Sequence, residues 1–150
     1  MNDHYERLFF ALWPEERVGA ELSSAFDSIS ELPEESRRVA SSNLHLTLHF
    51  LGNISSADVH CFLQQAEKVR GSGFELSINT LGHFKKPKVI WLGCKTVPHA
   101  LYQLHAQLGD LIQPCGAHGM TACLEPAHRG DGNTALKANL AVQGKLYTLA

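Results

Sequence analysis

From Asn43 to Phe50 the sequence alternates, with Leu44, Leu46, Leu48 and Phe50 apolar and Asn43, His45, Thr47 and His49 polar. A period of two fits a strand, because successive strand side chains leave by opposite faces. The four apolar residues are therefore expected in a core, while His45, Thr47 and His49 share the other face. Histidine can take or give a proton near neutral pH, and a hydroxyl two residues further on can donate to an anionic oxygen held beside it. His45-x-Thr47 is thus a candidate for proton transfer at a bound anion. In isolation, so short a motif is also what a half-exposed strand with outward polar residues would show.

The flanking text supplies elements for that strand to pack against. Arg7-Leu8-Phe9-Phe10-Ala11-Leu12 reads as a buried strand, and Pro14-Glu15-Glu16 opens a helix with Val18, Leu22, Phe26 and Ile29 on one stripe as far as Pro33. Gly52-Asn53 is a turn signal. Ser55-Ser56-Ala57-Asp58 has capping-box spacing ahead of a second amphipathic helix carrying Val59, Phe62, Leu63, Ala66 and Val69 and stopping at Gly71 and Gly73. Strands are expected at Phe74–Thr80 and Lys88–Leu92, then a third helix after Pro98 with Leu101, Leu104, Leu108 and Leu111 buried and with His60, His99 and His105 on the solvent sides of their helices. Strands separated by helices and short turns indicate an α+β domain with antiparallel sheet. From Pro114 to Asn133 glycines interrupt the text and apolar periodicity is lost; Gly144–Ala150 can supply a last strand.

One domain accounts for 150 residues, and 44% hydrophobic with 19% charged residues suits a core of its own. With 13 basic and 15 acidic residues the net charge is −2, so any nucleic-acid contact must be local and no attraction to acidic membrane is encoded. The polar start, Met1 to Arg7, carries no apolar leader, and a cytoplasmic, soluble monomer is expected. Cys61, Cys94, Cys115 and Cys123 form no C-x-x-C pair, which favours reduced thiols. Cys115, His118, Cys123 and His128 are spaced C-x2-H-x4-C-x4-H, an order unlike the common zinc modules, and no metal or other cofactor is expected.

Three blocks at matching spacing, Arg7–Ala11, Asn43–Gly52, and Gly82-His83-Phe84 followed by Val89–Gly93, resemble the bacterial RNA 2′,3′-cyclic phosphodiesterases, the 2′-5′ RNA ligase-like members of the 2H phosphoesterases. The resemblance runs to about residue 113 and leaves 114–150 divergent within a single domain spanning 1–150. It implies a bilobed α+β fold of antiparallel sheets flanked by helices, two H-x-T strands facing one cleft, and hydrolysis of 2′,3′-cyclic phosphate ends of RNA or nucleotides to 2′-phosphates without metal. By the same resemblance His45 matches the first catalytic histidine, the proton donor, and Thr47 its phosphate-binding hydroxyl. A second H-x-T is not present: the candidates read Ala117-His118-Gly119-Met120-Thr121 and Pro126-Ala127-His128-Arg129-Gly130. His128 lies at about the expected distance to be the second histidine, but Gly130 stands where the threonine belongs. A chain shortened or altered after about residue 113, as by a shifted reading frame, would explain this, and it leaves a catalytically inactive module that binds nucleotide or RNA ends as the alternative. His49 is expected as a wall of the cleft, Lys85, Lys86 and Lys88 as a solvated basic turn, and Trp91 in the core.

Overall fold

The computed structural model describes residues 4–28, 40–84, 89–116, 120–121, 136–140 and 145–149, the backbone alone for 81–90 where described and for everything after 116. β1 (Tyr5–Leu12) is buried from Leu8 to Leu12, on both faces, as an apolar run without alternation requires. It is one of the two inner strands of a four-stranded antiparallel sheet. α1 (Glu16–Asp27) starts after Pro14 and buries Val18 and Gly19, and a 3-10 turn at Ser41–Asn43 leads into β2 (Leu46–Ser55). The Ser55 hydroxyl caps α2 (Ser56–Ala66), accepting from the Asp58 amide at 3.3 Å and donating to the Asp58 carboxylate at 2.6 Å. β3 (Phe74–Ile78) precedes the hairpin of β4 (Thr80–Phe84) and β5 (Val89–Gly93). α3 (His99–Ile112) then buries Leu101, Leu104, Leu108 and Ile112.

β6 (Met120–Thr121), β7 (Leu136–Leu140) and β8 (Lys145–Leu149) return to the sheets already formed. The order is β6-β2-β1-β8, with β3-β7 and β4-β5 as two-stranded antiparallel sheets, so the architecture is α+β. β8 matches the strand expected at the end of the sequence, β6 falls in the stretch where apolar periodicity is lost, and β7 is an unanticipated strand on the alternating run Leu136-Lys137-Ala138-Asn139-Leu140.

One face of β1 and β2 packs on α2, α3 and β3. Phe10, Leu12, Leu48, Phe62, Leu76, Leu101, Leu104, Leu108 and Ile112 form the buried cluster there, with Leu46, Leu51 and Ile54 against it.

Several expectations change at β2. The strand does not turn at Gly52-Asn53 but runs on to Ser55, and Gly52 takes a φ of 81° inside it, a left-handed value that glycine adopts without steric cost. Two register shifts against β1 explain how. Ala11 pairs with Thr47 and Phe10 with His49, leaving Leu48 extra; Phe9 pairs with Phe50 and Leu8 with Gly52, leaving Leu51 extra. Each extra residue flips the phase of alternation downstream. Leu48 and His49 are therefore both buried, at 2% and 4% exposure, and Leu51 rather than Phe50 joins the core. Phe50 instead shares the other face with Phe9 and lies beneath the Arg7 guanidinium, 5.0 Å from the ring centre.

The cysteines also differ from expectation. Cys61 on α2 and Cys115, just past α3, are joined in a disulfide with their Cα atoms 5.8 Å apart. They stand 54 residues apart in sequence, and it is the packing of α2 against α3 that brings them together. Cys94 is free and half-buried, and burial holds its thiol pKa above the ordinary value, with a backbone hydrogen bond opposing in part.

Candidate functional site

His45 sits at the entrance to β2, exposed, one residue before the strand begins. Its Nδ1 lies 2.7 Å from the Asn43 carbonyl oxygen. A carbonyl can only accept, so Nδ1 carries the hydrogen, and in the neutral ring Nε2 bears the lone pair. Among the described residues Nε2 has no hydrogen-bond partner, which leaves it able to exchange a proton with a ligand. Thr47, half-buried, pairs with Ala11 while its neighbours Leu46 and Leu48 pack on the core, so its side chain leaves by the opposite face. Phe9 and Ala11 line that face from β1.

Two aromatic rings back the imidazole. Trp13 stacks on it with centroids 4.8 Å apart and planes 22° apart, and Phe9 meets it at 5.1 Å and 36°. Phe9 and Trp13 are themselves 5.8 Å apart. The indole Nε1 donates to the Ser42 carbonyl at 3.2 Å. Nothing in the sequence marks Trp13: it stands one residue past β1, after the unbroken apolar run Leu8–Leu12, where no alternation assigns a face.

His49 does not belong to this face. The Leu48 bulge turns it under α3, where its ring stacks on His105 at 4.1 Å and its Nε2–H donates to the His105 carbonyl at 2.8 Å. It is a buried structural residue and no wall of the cleft. His105 correspondingly turns inward from its helix, whereas His60 and His99 are exposed as expected. Trp91 is half-buried on β5. His118, Cys123 and His128 lie outside the described residues, as do Lys85, Lys86 and Lys88. Cys115 of the C-x2-H-x4-C-x4-H spacing is bonded to Cys61, and among the described residues no group of three or more histidine, cysteine or acidic side chains could hold a metal. Nor, among those residues, is any helix long and apolar enough to cross a membrane.

The fold is that of solved phosphoesterases. The crystal structure of Escherichia coli LigT complexed with ATP superposes with a TM-score of 0.71 at 23% identity, covering 98% of this chain and 96% of that one. LigT complexed with 3′-AMP gives 0.68 at 26%, covering 97% and 84%. Residues 12–91, which hold His45 and Thr47, match the family model described as LigT like Phosphoesterase, and the chain belongs to that family, within the 2H phosphoesterases. Two relatives carry the name RNA 2′,3′-cyclic phosphodiesterase. That of Escherichia coli (strain K12) is 40% identical over 72 residues, 48% of this chain and 41% of the relative. That of Thermotoga maritima is 28% identical over 115 residues, 73% of this chain and 61% of the relative. The chain thus matches less than two thirds of either relative's length.

Proposed function

We propose that this chain carries one half of a site that hydrolyses 2′,3′-cyclic phosphate ends of RNA or nucleotides to 2′-phosphomonoesters. In this reading water attacks phosphorus, the bond to the ribose 3′-oxygen breaks, and the His45 imidazolium gives its Nε2 proton to that oxygen. Thr47 donates its hydroxyl hydrogen to a phosphoryl oxygen, where charge develops. The observation that supports the reading is the Nδ1 bond to the Asn43 carbonyl, which leaves Nε2 available for proton transfer. Support comes from the names of the two relatives and from the nucleotide bound by the neighbouring LigT structure.

The step also needs a base to take the proton of the attacking water. With Gly130 in place of a threonine after His128, the sequence offers no second H-x-T, and this favours slow turnover or none, with the half-site acting as a binding module for nucleotide ends. The reading sets the protein in the cytoplasm, where a standing disulfide such as Cys61–Cys115 is uncommon.

The test is hydrolysis of 2′,3′-cyclic AMP by the purified chain, with the product isomer identified by chromatography. Expected is 2′-AMP, formed roughly 10² to 10⁴ times more slowly than by a two-histidine enzyme and abolished in His45→Ala. A 3′-AMP product, or a rate that His45→Ala leaves unchanged, would sink the assignment. If turnover is near normal and vanishes in His128→Ala, His128 is the second histidine and the binding-module alternative falls.

A further inference from the structure

We infer that Trp13 is a positioning residue for His45, an indole clamp that holds the imidazole in one orientation and one tautomer. The inference rests on the reading of His45 as the proton carrier.

The clamp is built on the 3-10 turn of Ser41–Asn43. A helical turn leaves its last carbonyls without partners inside the turn, and here the Leu44 amide returns to the Ser41 carbonyl at 3.3 Å. The carbonyls of Ser42 and Asn43 are taken by two side-chain rings: the indole Nε1–H of Trp13 at 3.2 Å and the imidazole Nδ1–H of His45 at 2.7 Å. Adjacent peptide groups thereby tether two rings that stack on each other at 4.8 Å.

The backbone makes that meeting reproducible. Trp13 precedes Pro14, and a residue before proline is pushed to extended conformations, so β1 carries Trp13 on beyond Leu12 before α1 begins. The turn itself is held against α1, with the Ser41 carbonyl 3.5 Å from where a Cβ on Gly19 would stand. Phe9, buried at 2% exposure, closes the third side of the imidazole.

A side chain fixed at Nδ1 and across its ring plane has little freedom left in its two torsions, and Nε2 then points in one direction. A proton donor needs that alignment, because small misplacements cost rate steeply. The Asn43 bond alone would leave the ring able to swing about it. Trp13 removes that motion.

The experiment is side-chain ¹⁵N NMR of His45 in wild type, Trp13→Ala and Trp13→Phe, with a 2′-AMP titration of each. Wild type should show a single Nδ1–H tautomer and ring protons shifted upfield by the indole. In Trp13→Ala the two tautomers should average, the upfield shift should vanish, and kcat for any cyclic-nucleotide hydrolysis should fall about 10-fold with KM little changed. Trp13→Phe keeps a ring for stacking and should restore most of both. An unshifted His45 ring in wild type, or a Trp13→Ala variant that folds and keeps the single tautomer, overturns the clamp. Should Trp13→Ala fail to fold, the wild-type ring shift and the Trp13→Phe variant decide it. If 2′-AMP moves no His45 or Thr47 signal in wild type, the reading of the site fails, and the tautomer measurement still decides the clamp.

Discussion

Thr47 and Leu48 are neighbours in sequence on opposite faces of one strand, and truncating each to alanine separates the site from the core. Leu48 is 2% exposed within the cluster formed by Phe10, Phe62, Leu76 and α3. Removing three carbons beyond Cβ forfeits about 2.4 kcal/mol of transfer free energy at roughly 0.8 kcal/mol per carbon, and the partly collapsed cavity brings the total to about 3 kcal/mol. Across 150 residues an unfolding entropy of about 2 cal/mol/K per residue turns this into a drop in Tm of about 10 °C. Thr47 is half-buried and has no hydrogen-bond partner among the described residues, so Thr47→Ala should change stability by no more than about 0.5 kcal/mol. Thermal melts followed by far-UV circular dichroism read both. Equal losses in the two variants would refute the division of faces and the Leu48 bulge with it.

His49→Ala should cost about 2 kcal/mol through the lost His105 stack and carbonyl bond and leave 2′-AMP binding unchanged; a weakened ligand with intact stability would return His49 to the site. Reduction, or Cys61→Ser with Cys115→Ser, should lower stability by up to about 4 kcal/mol for a loop of 54 residues, and chemical denaturation with and without reductant measures it; identical curves would remove the crosslink. Burial raises the Cys94 pKa, so the thiol form persists in the folded chain and peptide mapping should find Cys94 alkylated more slowly than an unfolded control. The linkage sign follows: a raised folded pKa gives a contribution that is full below the unfolded thiol value and is lost as pH rises through the folded one. Alkylation at the control rate would contradict this.

The faces of Thr47 and of the core positions Leu46 and Leu48 were legible because alternation holds as far as Leu48, and the helices were legible from Pro14, Pro98, the Ser55 cap and their apolar stripes, although Leu63 is exposed and Ile112 is buried in place of Leu111. Beyond Leu48 the period of two misleads. An extra residue in a bulge leaves no mark in a hydrophobic pattern, so His49 and Phe50 change faces unseen, and Gly52, which resembles a turn residue, serves within the strand. The disulfide escaped for a related reason: Cys61 and Cys115 meet only through helix packing. Trp13 was hidden because its role depends on two carbonyl groups, Ser42 and Asn43, whose orientation no side-chain pattern encodes.

If His45 and Thr47 form one anion site for a nucleotide 2′-phosphate, both should respond to that ligand together. Titration of the isotope-labelled chain with 2′-AMP, followed through the His45 ring and the Thr47 amide and methyl signals, tests it most directly. Saturable shifts are expected at both residues and at Trp13, lost in Thr47→Ala and absent at His49, whose ring lies on the other face. Shifts at His49 without His45, or no shift at His45 and Thr47 at any ligand concentration, would contradict it.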